Sequence, residues 1–241
     1  MRIVQISDTH ISLDHPGRAA DLEACVHYIN ATEVQPDVVV HTGDIAHNGL
    51  VKEYEVARQA LDQLSAPYFV LAGNRDKRSE LIAAFSDDAH IRPGMAHVQY
   101  AVEHFPVRLI VVDTVSEQSN KGRFCSQRLS DLSQMLMADT SRPCAVFAHH
   151  PPFDVTVAPD PFQFELRAEA DAVLAELARH RHVSELYCGH IHRGFEAMFG
   201  SLRASVVSSV AEDVRWDRAL HDDSSVPVLK TYDVTTAKTE V

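Results

Sequence analysis

The sequence predicts an α/β fold, and three observations predict it. Short β-branched runs alternate with helical stretches through most of the chain. Several runs, such as Asp37–His41 (D-V-V-V-H), are apolar without alternation, the pattern of a strand covered on both faces. Each such run also ends in a short polar cluster, and open α/β sheets bind ligands at the carboxyl ends of their strands.

Taken in order, Arg2–Ser7 reads as the first strand. Gly17–Ala31 follows as a helix, with Leu22, Val26 and Ile29 at helical spacing. Asp37–His41 is the second strand, Lys52–Leu64 a helix, and Pro67–Leu71 the third strand. Pro106–Asp113 and Cys144–Ala148 repeat the buried-strand pattern on either side of a helix at Ser126–Ala138. The alanine-rich stretch Glu165–His180 is helical, and Glu185–Cys188 is a short strand. From Phe195 the pattern turns hairpin-like, with strands at Phe195–Phe199, Leu202–Ser208 and Pro227–Asp233. The proline-rich loop Val155–Phe164 is the longest irregular stretch inside the body. No repeat, low-complexity tract or Gly/Ser linker divides the chain, so one domain over residues 1–241 is expected.

Composition narrows the function classes. Hydrophobic residues make up 45% and charged residues 23%, a balance that excludes disorder and coiled coil. Lys and Arg total 22 against 34 Asp and Glu, a formal charge of -12. That excess argues against a nucleic-acid polymer or an anionic membrane as partner, because phosphate affinity comes largely from Lys and Arg. The N-terminus carries no export signal and no apolar run is long enough to span a bilayer, so a soluble cytoplasmic protein is expected. Cys25, Cys125, Cys144 and Cys188 are scattered without a CxxC pair, as reduced core residues would be.

The strand-end clusters carry the chemistry. They are Asp8-Thr9-His10, Gly43-Asp44, Gly73-Asn74-Arg75-Asp76, His149-His150-Pro151-Pro152 and Gly189-His190-Ile191-His192. Singly, each has a plain alternative: a helix cap, a turn, a rigid proline loop. Together they bring carboxylate, amide and imidazole donors to one patch without a thiolate. That set suits Zn, Mn or Fe in a mixed nitrogen and oxygen site.

The series Asp8-x-His10, Gly43-Asp44, Gly73-Asn74, His149-x-Pro151 and Gly189-His190-x-His192 resembles the calcineurin-like metallophosphoesterase superfamily. Within it, the chain is similar to bacterial class III cyclic nucleotide phosphodiesterases and glycerophosphodiesterases. The likeness spans Ile3 to Glu212 and includes Val112-Asp113-Thr114. It implies a four-layer α/β/β/α sandwich of two mixed sheets, with residues 211–241 as a C-terminal strand and loop extension. It implies two divalent metal ions (Mn, Fe or Zn): Asp8, His10, Asp44 and His192 would hold one and Asp44, Asn74, His149 and His190 the other, with Asp44 as bridge. It also implies hydrolysis of a small phosphodiester, cyclic nucleotide or glycerol-type, by in-line attack of metal-bound hydroxide. His150 is then a support for its neighbours or a substrate contact, and His150 and His47 are candidates to protonate the leaving group.

One position departs from the family. Most members carry His where this chain has Arg75, and the Gly-Asn-Arg-Asp string also occurs in the family's pyrophosphohydrolases of lipid A synthesis. Arginine stays protonated and so serves as an electrostatic clamp rather than an acid. With Lys77 and Arg78 it would favour a more highly charged substrate, which keeps a phosphomonoesterase or nucleotide pyrophosphatase as the alternative. The plainer readings are Arg75 paired with Asp76 and a solvated helix start at Lys77 and Arg78. A non-catalytic metal-binding scaffold is a further reading, and a nuclease is disfavoured by charge. The acidic C-terminal region is expected to cap the site or form a homodimer interface, with Trp216 packing there or stacking on substrate.

Overall fold

The computed structural model describes residues 1–87, 89–216 and 229–234. In its first sheet, β1 (Arg2–Ile6), β2 (Val38–His41) and β3 (Tyr68–Val70) run parallel, and β10 (Lys230–Asp233) pairs antiparallel with β1. In the second, β5 (Arg108–Val111), β6 (Cys144–Ala148), β7 (Val183–Cys188) and β9 (Leu202–Val206) run parallel. Antiparallel strands close its edges, β4 (Tyr100–Val102) beside β5 and β8 (Phe195–Phe199) beside β9.

Period-two alternation in the second sheet divides its side chains between two cores. Leu109, Val111, Ala145, Phe147 and Tyr187 pack into the core shared with the first sheet. Ile110, Val112, Val146, Leu186 and Cys188 point the other way, beneath α4 (Ser126–Ala138) and α5 (Arg167–Arg179). The first sheet is covered by α1 (Gly17–Ala31), α2 (Val51–Leu61) and α3 (Arg78–Phe85), whose Leu22, Ile29, Leu61 and Leu81 are fully buried. The layers therefore run α/β/β/α, as expected. Polar contacts bridge the sheets as well: Gln5 Nε2 donates to Cys188 O at 2.8 Å, and Tyr232 Oη lies 2.7 Å from Ser205 Oγ.

α1, α4, β6 and β8 have the expected limits, and the differences elsewhere have local causes. α2 starts at Val51 because the Glu53 carboxylate accepts the backbone N–H groups of Asn48 and Leu50 at 2.9 and 3.1 Å, a cap that the apolar spacing does not encode. It ends at Leu61, and Gln63 and Leu64 close a turn instead. α3 and β4 are additions, eight and three residues long, too short for periodicity to mark. The four cysteines are unpaired and three are buried. Among the described residues, no helix is long and apolar enough to cross a membrane. Of the expected C-terminal extension, residues 217–228 and 235–241 lie outside the described residues. So do the last part of the Ala211–Ser225 loop and the start of the expected Pro227–Asp233 strand. Trp216 is 57% exposed rather than packed, and its backbone N–H donates to His192 O at 3.1 Å.

Candidate metal centre

The segments after β1 and β2 continue their pairing past the strand ends. Asp8 N–H donates to Gly43 O at 3.0 Å and His10 N–H to Asp44 O at 2.9 Å. To do so while presenting side chains to one point, the backbone turns left-handed at Asp8, His10, Asp44, His190 and His192 (φ 55°, 44°, 52°, 76° and 56°). These are the only non-glycine residues with positive φ among the described residues, a conformation that costs energy and concentrates at functional sites. It also answers the alternation of His190 and His192, which in an extended strand would point to opposite faces.

Two groups of donor atoms result. Ligand-type atoms of Asp8, His10, Asp44 and His192 lie within 4.8 Å of one another, and so do those of His149, His150 and His190. Asp44 joins the two, with Oδ2 at 3.6 Å from His10 Nε2 and Oδ1 at 3.5 Å from His149 Nε2. Asn74 Oδ1 completes the second group at 3.0 Å from His149 Nε2. Gly73 makes this approach sterically feasible, since a Cβ there would overlap the Asp44 backbone nitrogen and Oδ1.

Backbone carbonyls set the imidazole tautomers. His149 Nδ1–H donates to Thr42 O at 2.8 Å and His192 Nδ1–H to Val214 O at 3.0 Å. Each Nε2 therefore turns a lone pair inward. That of His149 faces the Asn74 and Asp44 oxygens, and that of His192 faces His10 Nε2 at 3.0 Å and Asp8 Oδ1 at 3.2 Å. Asp8 Oδ1 is buried without a hydrogen-bond partner. Nitrogen and oxygen atoms gathered at these distances form a donor set of the kind that holds a cation.

The electrostatics agree. Burial raises the pKa of Asp8, but His192, His149 and His10 outweigh it and hold the carboxyl well below its usual range. Burial, then the Asp8 charge, pushes Asp44 up. Burial keeps His10, His149 and His190 below their ordinary values, which leaves them neutral as ligation requires. His192 is the exception: burial opposes its charge, yet the Asp8 carboxylate raises its pKa above the ordinary value.

Around the centre, Asp76 joins the β2 and β3 loops. Its carboxylate accepts from the backbone N–H groups of Ile45, Ala46 and Gly73 at 3.2, 3.0 and 2.9 Å and from Tyr54 Oη at 3.1 Å. Arg75 is not its partner. The Arg75 backbone N–H donates to Asp44 Oδ1 at 2.7 Å, while its exposed guanidinium has no partner among the described residues. Its charge nevertheless acts on Asp44 and His190. Arg78 is neither a solvated helix start nor free for substrate: its guanidinium grips Asp113 at 2.7 and 2.9 Å. Lys77 is exposed as that reading expects. A cavity of about 950 Å³ opens beside Asn74, with Lys77, Glu80, Ser116 and Glu117 on its walls, so substrate-sized space flanks the centre rather than enclosing it.

His150 is buried between the rings of His149 and His190, at 4.8 and 4.4 Å between centroids. Both its nitrogens have partners, Nδ1 with Thr114 Oγ1 at 2.8 Å and Nε2 with Asn120 O at 3.0 Å. His47 stacks edge-on against His10 at 5.6 Å, with its Nδ1 buried and unpartnered. Several supporting residues escaped the sequence reading. His41, whose Nδ1 accepts Gly43 N–H at 3.2 Å, sits inside an apolar run. Arg18 donates to His10 O at 3.2 Å and pairs with Asp213 at 2.8 Å across the chain. Gln163 lies in the proline loop. No local motif marks any of the three.

Two mixed sheets between helices, with oxygen and imidazole donors gathered at their carboxyl ends, define a class of α/β proteins with a candidate metal centre. Comparison with known families settles which one: the chain belongs to the calcineurin-like phosphoesterase family, whose model matches residues 1–194. A probable glycerophosphodiester phosphodiesterase of Arcobacter nitrofigilis is 29% identical over 90% of this chain and 82% of its own. A glycerophosphodiester phosphodiesterase of Enterobacter lignolyticus is 31% identical over 80% of this chain and 71% of its own. A dual-specificity cAMP/cGMP phosphodiesterase of Mycobacterium tuberculosis is 28% identical over 86% of this chain and 66% of its own. In structure, a dimetal phosphatase of Danio rerio superposes with a TM-score of 0.74 at 17% identity, covering 96% of this chain and 91% of that one.

Proposed function

We propose that the chain hydrolyses small phosphodiesters, of cyclic nucleotide or glycerol type, with two divalent ions. Asp8, His10, Asp44 and His192 would hold one ion, and Asp44, Asn74, His149 and His190 the other. The observation that carries this reading is Asp44, whose two oxygens divide between the donor groups. Bound divalent ions supply Lewis acidity toward phosphate oxygens and lower the pKa of a coordinated water. The chain's own residues supply the rest. Thr42 and Val214 hold His149 and His192 in their tautomers, and Asp76 fixes the loop carrying Asn74 and Arg75 against Asp44. Arg75 reaches the charge that develops on the phosphoryl oxygens. His150, engaged at both nitrogens, acts by holding the rings beside it. Similarity to named phosphodiesterases supports the diester as substrate. The engagement of Arg78 by Asp113 removes one of the cations that would favour a polyanionic pyrophosphate.

The test is hydrolysis of bis-p-nitrophenyl phosphate against p-nitrophenyl phosphate, with chelated protein reloaded with Mn, Zn or Fe and its metal content measured. Preference for the diester with two ions bound is the expected result. Preference for the monoester shifts the reading to a phosphomonoesterase, and undiminished activity after chelation overturns the metal site.

A further inference from the structure

Two irregular segments, 119–123 and 160–165, are joined side by side next to the centre. Gly122 N–H donates to Gln163 O at 2.8 Å and Glu165 N–H to Gly122 O at 2.9 Å. Lys121 Nζ donates to Phe162 O at 2.9 Å and pairs with Asp160 at 2.7 Å. Glycine at 122 permits the contact, because a Cβ there would lie 2.9 Å from His150 Cβ and 3.0 Å from the Phe164 ring. The backbone and Lys121 thus hold the two segments without help from the Gln163 side chain.

That side chain has a different task. Its Nε2 donates to Asp160 O, which orients the amide, and its Oε1 accepts Nε2–H of His190 at 2.9 Å. Gln163 as a whole is 9% exposed. With the proton of His190 held on Nε2, the lone pair resides on Nδ1. We infer that Gln163 is a positioning residue for the second metal: its amide oxygen fixes His190 in the tautomer and ring orientation that make Nδ1 the ligand atom. This rests on the dinuclear reading above. His149 and His192 depend on backbone carbonyls for the same service, which no side-chain substitution removes. His190 draws it from an exchangeable side chain, supplied by a loop far from it in sequence.

Outer partners of metal-bound histidine are worth about 10–100-fold in metal affinity. Calorimetric titration of metal-free protein with Mn²⁺ should therefore separate wild type from Gln163→Leu and Gln163→Asn, the second keeping polarity but withdrawing the amide by one methylene. Circular dichroism should show the folds intact. Both variants are expected to weaken one binding step about 10–100-fold and leave the other unchanged. Gln163→Glu, which keeps an acceptor oxygen in reach, should recover most of the loss. Wild-type binding by the Leu and Asn variants, equal weakening of both steps, or no recovery in Gln163→Glu would each overturn the inference. Failure of the wild type itself to bind two ions would instead overturn the dinuclear reading, and this inference with it.

Discussion

Replacing Asp76 by Asn isolates what joins the two loops that approach Asp44. The carboxylate meets four donors: Oδ1 faces Ala46 N–H and Tyr54 O–H, and Oδ2 faces Ile45 N–H and Gly73 N–H. Asn keeps one acceptor oxygen. If its NH₂ takes the Oδ2 place, both the Ile45 and Gly73 donors lose their partner. If it takes the Oδ1 place, Ala46 N–H and Tyr54 O–H lose theirs, since Tyr54 Oη already accepts Lys77 N–H at 2.9 Å. Either orientation abandons two donors, and each buried unpaired donor costs about 1–3 kcal/mol. In a chain of this size each corresponds to roughly 2–12 °C in Tm. Burial and Asp44 push the Asp76 pKa up to about 7, so the comparison belongs at pH 8, where the carboxylate is ionised. The assay is urea unfolding of metal-free Asp76→Asn and wild type, with kcat measured on the reloaded proteins. Asp76→Ala, which abandons all four donors, should lose more stability than Asn. An Asp76→Asn protein as stable as wild type and equally active would refute the account, since the loops would then be held by something else.

Three further outcomes are expected. Arg75→Ala should lower kcat by roughly 10²–10³-fold, as for removal of one preorganised charge-stabilising donor, with metal content and Tm unchanged; near-wild-type kcat would show that the guanidinium faces away from substrate. Asp44→Asn should cut kcat/KM by orders of magnitude rather than raise KM alone, measured beside metal content by elemental analysis; a change confined to KM would contradict its bridging role. His41 has its pKa lowered to about 4 by burial, so the unfolded chain binds a proton there between about pH 6.5 and 4 that the folded chain does not. His41 should contribute up to about 3 kcal/mol to the fall in stability of metal-free protein across that window, beside the buried histidines of the centre, and denaturation at stepped pH should show a shallower slope in His41→Asn by that amount.

Much of this architecture is visible in the chain before it folds. Buried strands declare themselves by runs such as Val38–His41, and α1 and α4 by apolar spacing, because burial of one face leaves a periodic trace. The strand-end clusters are equally legible, since a topology that aligns parallel strands must gather their carboxyl ends. What stays hidden depends on contacts between distant segments. Nothing near Arg78 announces Asp113, nothing near Arg18 announces Asp213, and Gln163 reaches His190 only once two loops have joined. Arg78 shows the hazard: a basic pair at a helix start reads as solvent-facing until its carboxylate partner, buried at 0% exposure, is seen.

The left-handed backbone at Asp8, His10, Asp44, His190 and His192 has an evolutionary corollary. Each such L-residue carries an unfavourable torsion of roughly 1–2 kcal/mol that glycine would relieve. A population selected for heat tolerance alone, with no demand for hydrolysis, would therefore drift toward glycine at these positions. Its descendants would melt later and have lost the donors that gather at the strand ends. Retention of five strained, ligand-type residues together is thus a signature of use: a lineage that had retired the pocket would be expected to relax it first.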